Sequence, residues 1–384
     1  MRKHITKKFL ILAAILVLPF LALAAPNISS TNGTFTHGQS VTVSGSGFGA
    51  KTTSTPWQWD NFEGGTVGQR LTTQGYVEYD GTGNGTFPVY STTKAYGQGT
   101  KSVYHPLVAG VEDFRDAGKA GLNSLEMYYS VMVYWENPSG VQSGNPVIKL
   151  VRANSTTPGG SACFYNSTAG TGCRPHFYIT MRTNGGTEDG GLDTGYTFNN
   201  TQLADANEIG FGSYNGYVNL DRNNWHRVEV YMKLSDPVGT TNGTFKSWLD
   251  GVQEYNATNI MTRDSDLAGK NLDSFMLPVM VSENAMNLNF YADDVYVDST
   301  ISRVEICSGS TWNSRGICEV QVPSAWSSDG TSIAATINQG SFTESSTQYL
   351  YVVDSTGTAN AAGYQITFGG DAIAPASPSG LSVS

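Results

Sequence analysis

The sequence predicts an all-β protein built from two β-sandwiches, one inserted into the other. Three observations carry that reading. Residues 225–234 alternate strictly: His226, Val228, Val230, Met232 and Leu234 fall on one side, Trp225, Arg227, Glu229, Tyr231 and Lys233 on the other. A period of two marks a strand with two different faces. The composition is rich in Gly (44) and Tyr (20), and no stretch shows a convincing amphipathic-helix period. Strand-like segments before Trp57 and after Asp298 each read as half of a core that neither piece can close alone.

Taken in order, residues 1–24 read as a signal peptide. Arg2, Lys3, Lys7 and Lys8 form a basic start, residues 9–21 are an apolar run broken by Pro19, and Ala22-Leu23-Ala24 fits small-x-small cleavage before Ala25. A membrane anchor would need about 20 unbroken apolar residues, and no later stretch approaches that. The expectation is therefore a secreted protein, extracellular or at the cell surface, with no membrane insertion once the signal is removed. Its loss leaves 18 basic against 32 acidic residues, a charge of −14 in place of −10. Such a surface is a poor partner for nucleic acid, whose phosphates must be neutralised, and for anionic lipid.

In residues 25–55, Val41 and Val43 alternate with Thr42 and Ser44, and Gly45, Gly47 and Gly49 read as a flexible turn. The pattern then stops. It resumes in ISRVEI, CEVQV, SIAATI, QYLYVV and YQITF within residues 299–370, so the expected first sandwich is discontinuous. GQSVTVSGSGFG at its start and YLYVVDSTGTANAAGYQITFG at its end resemble IPT/TIG domains, which implies an immunoglobulin-like sandwich. The remainder, residues 371–384, reads as a flexible tail rich in Pro, Ser and Ala.

The insertion, residues 56–298, opens with WQWDNFEGG and closes with NFYADDVYVD, and an inserted domain needs its first and last strands side by side. Within it, the 225–234 strand is followed by the turn signals Asp236-Pro237 and Asn242-Gly243, then by a second strand, 244–249, closed at Asp250-Gly251. A further alternating strand, HFYITMR, sets Phe177, Ile179 and Met181 against His176, Tyr178, Thr180 and Arg182. The segments DNFEGG, NNWHRVEVYMKL, FKSWLDGVQ and YADDVYV together resemble concanavalin A-like lectin/glucanase domains, and among them the polysaccharide-lyase-like members. That resemblance implies a jelly roll in contact with a polysaccharide or other glycan, an inference of fold rather than of activity.

The residues allow three functions. A glycan binder would use the polar face of the 225–234 strand: Trp225 and Tyr231 for stacking, Arg227 and Glu229 for hydroxyls or carboxylates, with Trp248, Tyr178 and Lys149 nearby. The plain alternative is a solvated face, on which Tyr, Arg and Lys are common. A lyase cleaving a uronate polymer by β-elimination needs a Tyr or His base and cations for the enolate-like charge. His176, Tyr178 and Arg182 supply those types; Lys149 and Arg152 of VIKLVR could add basic groups, although alternation points them to opposite faces. The Gln-Ile/Val-His triplet of one alginate-lyase family is absent. A glycoside hydrolase needs paired carboxylates, about 5–5.5 Å apart for retention; the Glu-x-Asp-x-x-Glu motif is missing, and Glu126 and Glu229 stand alone. The third function, a structural or adhesive surface protein, needs no sugar site.

No cofactor is required by any of these readings. A structural Ca²⁺ is an option, because jelly-roll closure would gather Asp60 and Glu63 with Asp293 and Asp294; a hydrogen-bonded turn explains the same residues. The four cysteines form two close pairs, Cys163 with Cys173 and Cys307 with Cys318, and in an exported chain disulfides are the default over a metal site.

Overall fold

The computed structural model of the chain describes residues 24–80, 85–111, 115–138, 147–156, 176–183, 190–197, 208–211, 219–263, 265–277, 280–282 and 287–369. The leader, the 371–384 tail and the Cys163–Cys173 pair lie outside the described residues. The chain is all-β apart from short 3-10 turns, with a jelly-roll sandwich inserted into a smaller, discontinuous one.

The smaller sandwich is made from both ends of the chain. One sheet has the order Asn27–Asn32, Ser40–Ser46, Ser332–Thr336, Val322–Trp326. The pairing of Val43 with Ile333 and of Val41 with Ala335 joins the first strands to the last third of the sequence. The second sheet runs Cys318–Val320, Arg303–Cys307, Thr347–Val353, Tyr364–Thr367. Between them lie Val41, Val43, Phe48, Val304, Ile306, Ile333, Leu350 and Val352, all at most 1% exposed. Gly45 is not part of a flexible turn. It is a strand residue paired with Ile28, and a Cβ there would come 2.0 Å from the Asn27 carbonyl oxygen. The turn itself begins at Gly47, whose φ of +74° suits glycine.

The larger sandwich has an eight-stranded and a nine-stranded sheet. In the first, Val252–Ile260, Gly243–Leu249, Trp225–Lys233, Glu126–Glu136, Leu288–Asp298, Ser102–Leu107 and Val89–Ser91 follow one another, with Gln58–Asp60 added beside Leu288–Asp298. The pairing of Val295 with Asp60 brings the two ends of the insertion together. In the second sheet, Glu208–Phe211, Gly190–Thr197, His176–Thr183, Val147–Thr156, Asn271–Met276, Arg115–Ser124 and Val77–Asp80 form the main path. Alternation fills the core between them: Met127, Tyr129, Val131, Val133 and Trp135 point inward with Val228, Val230, Met232, Phe177 and Phe275.

The residues between, Tyr128, Ser130, Met132 and Tyr134, face outward, and the smaller sandwich packs on that face. Tyr128, Tyr231, Trp248 and Tyr296 form an apolar cluster with Ile301 and Val320. The two crossing points of the chain are pinned by Lys51, whose Nζ donates to the Asp298 carboxylate at 2.5 Å, both side chains being at most 1% exposed. Among the described residues no helix is long and apolar enough to cross a membrane.

Candidate functional site

The structure corrects the predicted sugar face on Trp225–Lys233. Arg227 is 4% exposed, Glu229 0% and Tyr231 6%, all covered by the smaller sandwich. The cover is matched in charge. Arg227 Nη2 donates to Glu229 at 2.8 Å and to Glu305 at 2.6 Å, and Nη1 donates to the Cys318 carbonyl at 3.0 Å. Arg303 Nε donates to Glu305 at 2.6 Å, and its guanidinium lies 4.4 Å from the Tyr128 ring centre. Burial pushes the Glu305 carboxyl up, but Arg227, Arg303 and Arg315 together hold it well below the ordinary carboxylate range. At Arg227, Glu229 and Tyr231 the alternating polar face is an interface between the two sandwiches, and the space left beside Trp225 and Arg227 is a pocket of about 170 Å³.

The neighbouring predicted residues follow suit. Tyr231 donates its hydroxyl to Glu126 at 2.8 Å, so Glu126 is a partner for Tyr231 and Lys233 rather than half of a catalytic pair. Trp225 is half-buried between Tyr96 and Tyr134, with ring centres 5.6 and 5.5 Å away. His226, on the other side of the strand, is 7% exposed and bonds Asp250 through Nδ1 at 2.7 Å. Burial lowers its pKa, but the hydrogen bonds and charges of Asp250 and Asp221 together raise it, for a net rise. Trp248, 8% exposed, borders open space at the edge of the same interface, and Trp225 lines a smaller pocket beside it.

The nine-stranded sheet lies on the other side of the larger core. Here the described backbone places His176, Tyr178 and Arg182 at alternate positions of one strand, with Phe177 between the first two and buried in the core. Their side chains, and that of Lys149, lie outside the described residues. The register is informative. His176 stands opposite Asn154, Tyr178 opposite Arg152 and Thr180 opposite Lys149.

Between the last two pairs the register shifts, because Leu150 is skipped and both Leu150 and Val151 are buried in the core. The consequence corrects the expectation for an unbroken strand. Lys149 takes a register position in the same row as Arg152 and Asn154, not on the opposite face. On the far side of Val147–Thr156, Ser274 stands opposite Asn154 and Met276 opposite Arg152. Arg152 is 3% exposed and Asn154 0%. Neither Oδ1 nor Nδ2 of Asn154 has a hydrogen-bond partner among the described residues. Asn154 escaped sequence reading; the signal was its alternation with Val151 and Ala153.

The acidic residues proposed for calcium are gathered but do not converge. Asp293 accepts from the Tyr96 and Asp294 amides at 2.9 Å each, and Asp294 accepts from Asn338 Nδ2 at 2.8 Å. Glu63 accepts from Thr100 and Lys101, and Asp60 from the Phe62 amide and the Tyr76 hydroxyl. Burial, then Glu319, pushes the Asp294 pKa up to about 7, with Glu63 and Asp60 adding to the rise. Among the described residues no three of these carboxylates bring ligand atoms within 4.8 Å; the one group that does, Glu305, Cys307 and Cys318, contains a disulfide. As arranged, all four residues accept hydrogen bonds from protein donors. The Cys307–Cys318 bridge is formed as expected.

No family model matches the sequence, and no curated protein matches it significantly. Similar solved structures include a mutant of the alginate lyase Aly36B in complex with alginate trisaccharide, 11% identical over 65% of this chain and 99% of that one, TM-score 0.46. Another is the endo-β-1,4-glucuronan lyase of the fungus Trichoderma reesei, at 13% identity, 64% and 96% coverage and TM-score 0.40. A third is the alginate lyase vAL-1 from Chlorella virus, at 15% identity, 61% and 99% coverage and TM-score 0.43. These are likenesses of sandwich architecture, at identities where neither residues nor substrates carry over.

Proposed function

We propose that this is an exported polysaccharide-interacting protein that holds a uronate-containing glycan across the outer face of its nine-stranded sheet. The register shift at Leu150 carries the reading. It sets Lys149, Arg152 and Asn154 in one row, facing Thr180, Tyr178 and His176 of the next strand. Cations for a carboxylate, an amide and an aromatic ring for a sugar are the groups such a ligand needs. Asn154, buried with its amide unpartnered among the described residues, is a donor and acceptor already desolvated for a ligand.

The same row favours one second reading, β-elimination. Tyr178 or His176 would act as base and Arg152 with Lys149 would stabilise the enolate-like charge. Incubation with uronate polymers separates the two readings: growth of the ultraviolet band of an unsaturated product means elimination, and retention without that band means binding. Neither signal with any uronate or neutral polysaccharide leaves the structural or adhesive role and sinks the proposal.

A structural Ca²⁺ bridging Glu63 and Asp294 is proposed on the meeting of the insertion's two ends, which gathers these acidic residues; burial, then the charges of Glu319, Glu63 and Asp60, raises the Asp294 pKa. Binding to the folded state alone stabilises by about 2.7 kcal/mol at a hundredfold excess over Kd. A chelator should then lower Tm and added Ca²⁺ restore it; an unmoved Tm removes the site.

A further inference from the structure

A cleft of about 580 Å³ opens where the two sandwiches meet, between the Lys246–Val252 hairpin end and the loop closed by the Cys307–Cys318 bridge. That size falls within the roughly 300–1,000 Å³ of ligand sites. Its lining holds more cations than carboxylates. The lining includes Lys246, Arg303 and Arg315 against one carboxylate, Asp250. Asp250 is already engaged, accepting from the Arg227 amide at 2.8 Å and bonding His226 at 2.7 Å. Arg303 is satisfied by Glu305 and the Ile301 carbonyl.

The other two cations are less fully engaged, Arg315 donating through Nη1 to the Trp312 carbonyl at 3.4 Å. Arg315 is 8% exposed, and its Nε and Nη2 have no hydrogen-bond partner among the described residues. The nearest carboxylate oxygen, on Glu305, is 3.8 Å away and already serves Arg227 and Arg303 through its twin. Lys246 is half-buried with no described anion beside it, and burial alone pulls its pKa down. In a chain with 32 acidic and 22 basic residues, a half-buried Lys246 and an Arg315 with two unused donor nitrogens converging on a cleft are a recognition feature.

The rest of the lining fits a sugar. Trp248 and Trp312 are apolar walls, with the Arg315 guanidinium lying 4.1 Å from the Trp312 ring centre. Strand pairing puts Asn256 beside Lys246 and Gln253 beside Trp248, so an amide accompanies each. We infer that this cleft is a second glycan site, distinct from the nine-stranded sheet, in which Arg315 and Lys246 take the carboxylate of an acidic sugar unit between Trp248 and Trp312. The planar guanidinium matches a carboxylate edge-on, and the amides take ring hydroxyls.

The test is hydrogen exchange on the full chain, read over residues 246–256 and 308–317, with a uronate tetrasaccharide, a sulfated tetrasaccharide and neutral xylotetraose. The uronate should slow exchange in both segments, the neutral sugar in neither, and high salt should weaken the effect. Arg315→Gln should cost at least about tenfold in uronate affinity at these segments. Asn154→Ala, which addresses the other face, should leave their protection intact. Wild-type exchange needs no variant to fold. Protection by no ligand, equal protection by xylotetraose, or loss of cleft protection in Asn154→Ala overturns the inference; stronger protection by the sulfated sugar overturns the carboxylate assignment.

Discussion

The outer faces of the two large sheets look alike in sequence and end in opposite surroundings. Trp225–Lys233 and His176–Thr183 both set aromatic and basic residues against an apolar row. One of these polar rows is roofed by the smaller sandwich, so Arg227 and Glu229 become a sealed ion network. The other lies across the larger core from that roof, with a register shift that lines up Lys149, Arg152 and Asn154. Alternation reveals that a strand has two faces. What covers the second face is decided by a partner far along the chain.

The largest effect that separates the faces is in stability. Arg227→Ala leaves Glu229 and Glu305 buried without their shared cation, and breaking a buried pair by removing one partner costs about 3–5 kcal/mol. Chemical denaturation should show that loss; a change below about 0.5 kcal/mol would mean the face is open after all. A double-mutant cycle with Glu305→Ala sharpens the point. The coupling between Arg227 and Glu305 should reach at least about 1 kcal/mol, as expected for residues in one network.

A smaller effect is expected at the acidic cluster. Asp294 has a folded-state pKa of about 7, above the usual carboxylate value near 3.9. Its protonated form is the stable one, so its contribution is present below the unfolded pKa and lost as pH rises from about 4 towards 7. In metal-free buffer Asp294→Asn should raise Tm at pH 8 by roughly 2–4 °C and change it little at pH 4. Asparagine also suits the left-handed φ of 45° at this position. Equal Tm values for the two proteins across that range would contradict the assignment.

The smallest expected effect is at His226, whose folded pKa is raised by Asp250 and Asp221 against the effect of burial. A raised histidine stabilises below its unfolded pKa and loses that stabilisation as pH climbs through the folded value. His226→Gln should therefore cost more at pH 6 than at pH 9, and thermal melts at the two values read the difference. A cost independent of pH would mean the ring is held neutral.

Much of the fold was legible. The 225–249 hairpin, the strand at His176, the meeting of the insertion's ends and the sandwich shared between residues 25–55 and 299–370 all follow from period and turn residues. The fate of the polar face was not, although a signal existed. Arg-Val-Glu occurs twice, at 227–229 and at 303–305, each time with Arg and Glu on one side of a strand. Two such strips are complementary when laid face to face, and the structure joins Arg227 to Glu305 and Arg303 to Glu229. The strip beside Lys149 was missed for another reason. A bulge changes which residues share a face, and VIKLVR contains nothing that announces one.

The most direct measurement is a titration of a uronate oligosaccharide against three proteins under conditions where each is folded. With the wild type as reference, Asn154→Ala should lose at least about tenfold in affinity on the nine-stranded sheet with Tm little changed. Arg227→Ala should lose stability while the folded fraction binds there as well as wild type. The reverse pattern, with binding lost through Arg227 and kept in Asn154→Ala, would place the ligand on the face assigned here to the domain interface.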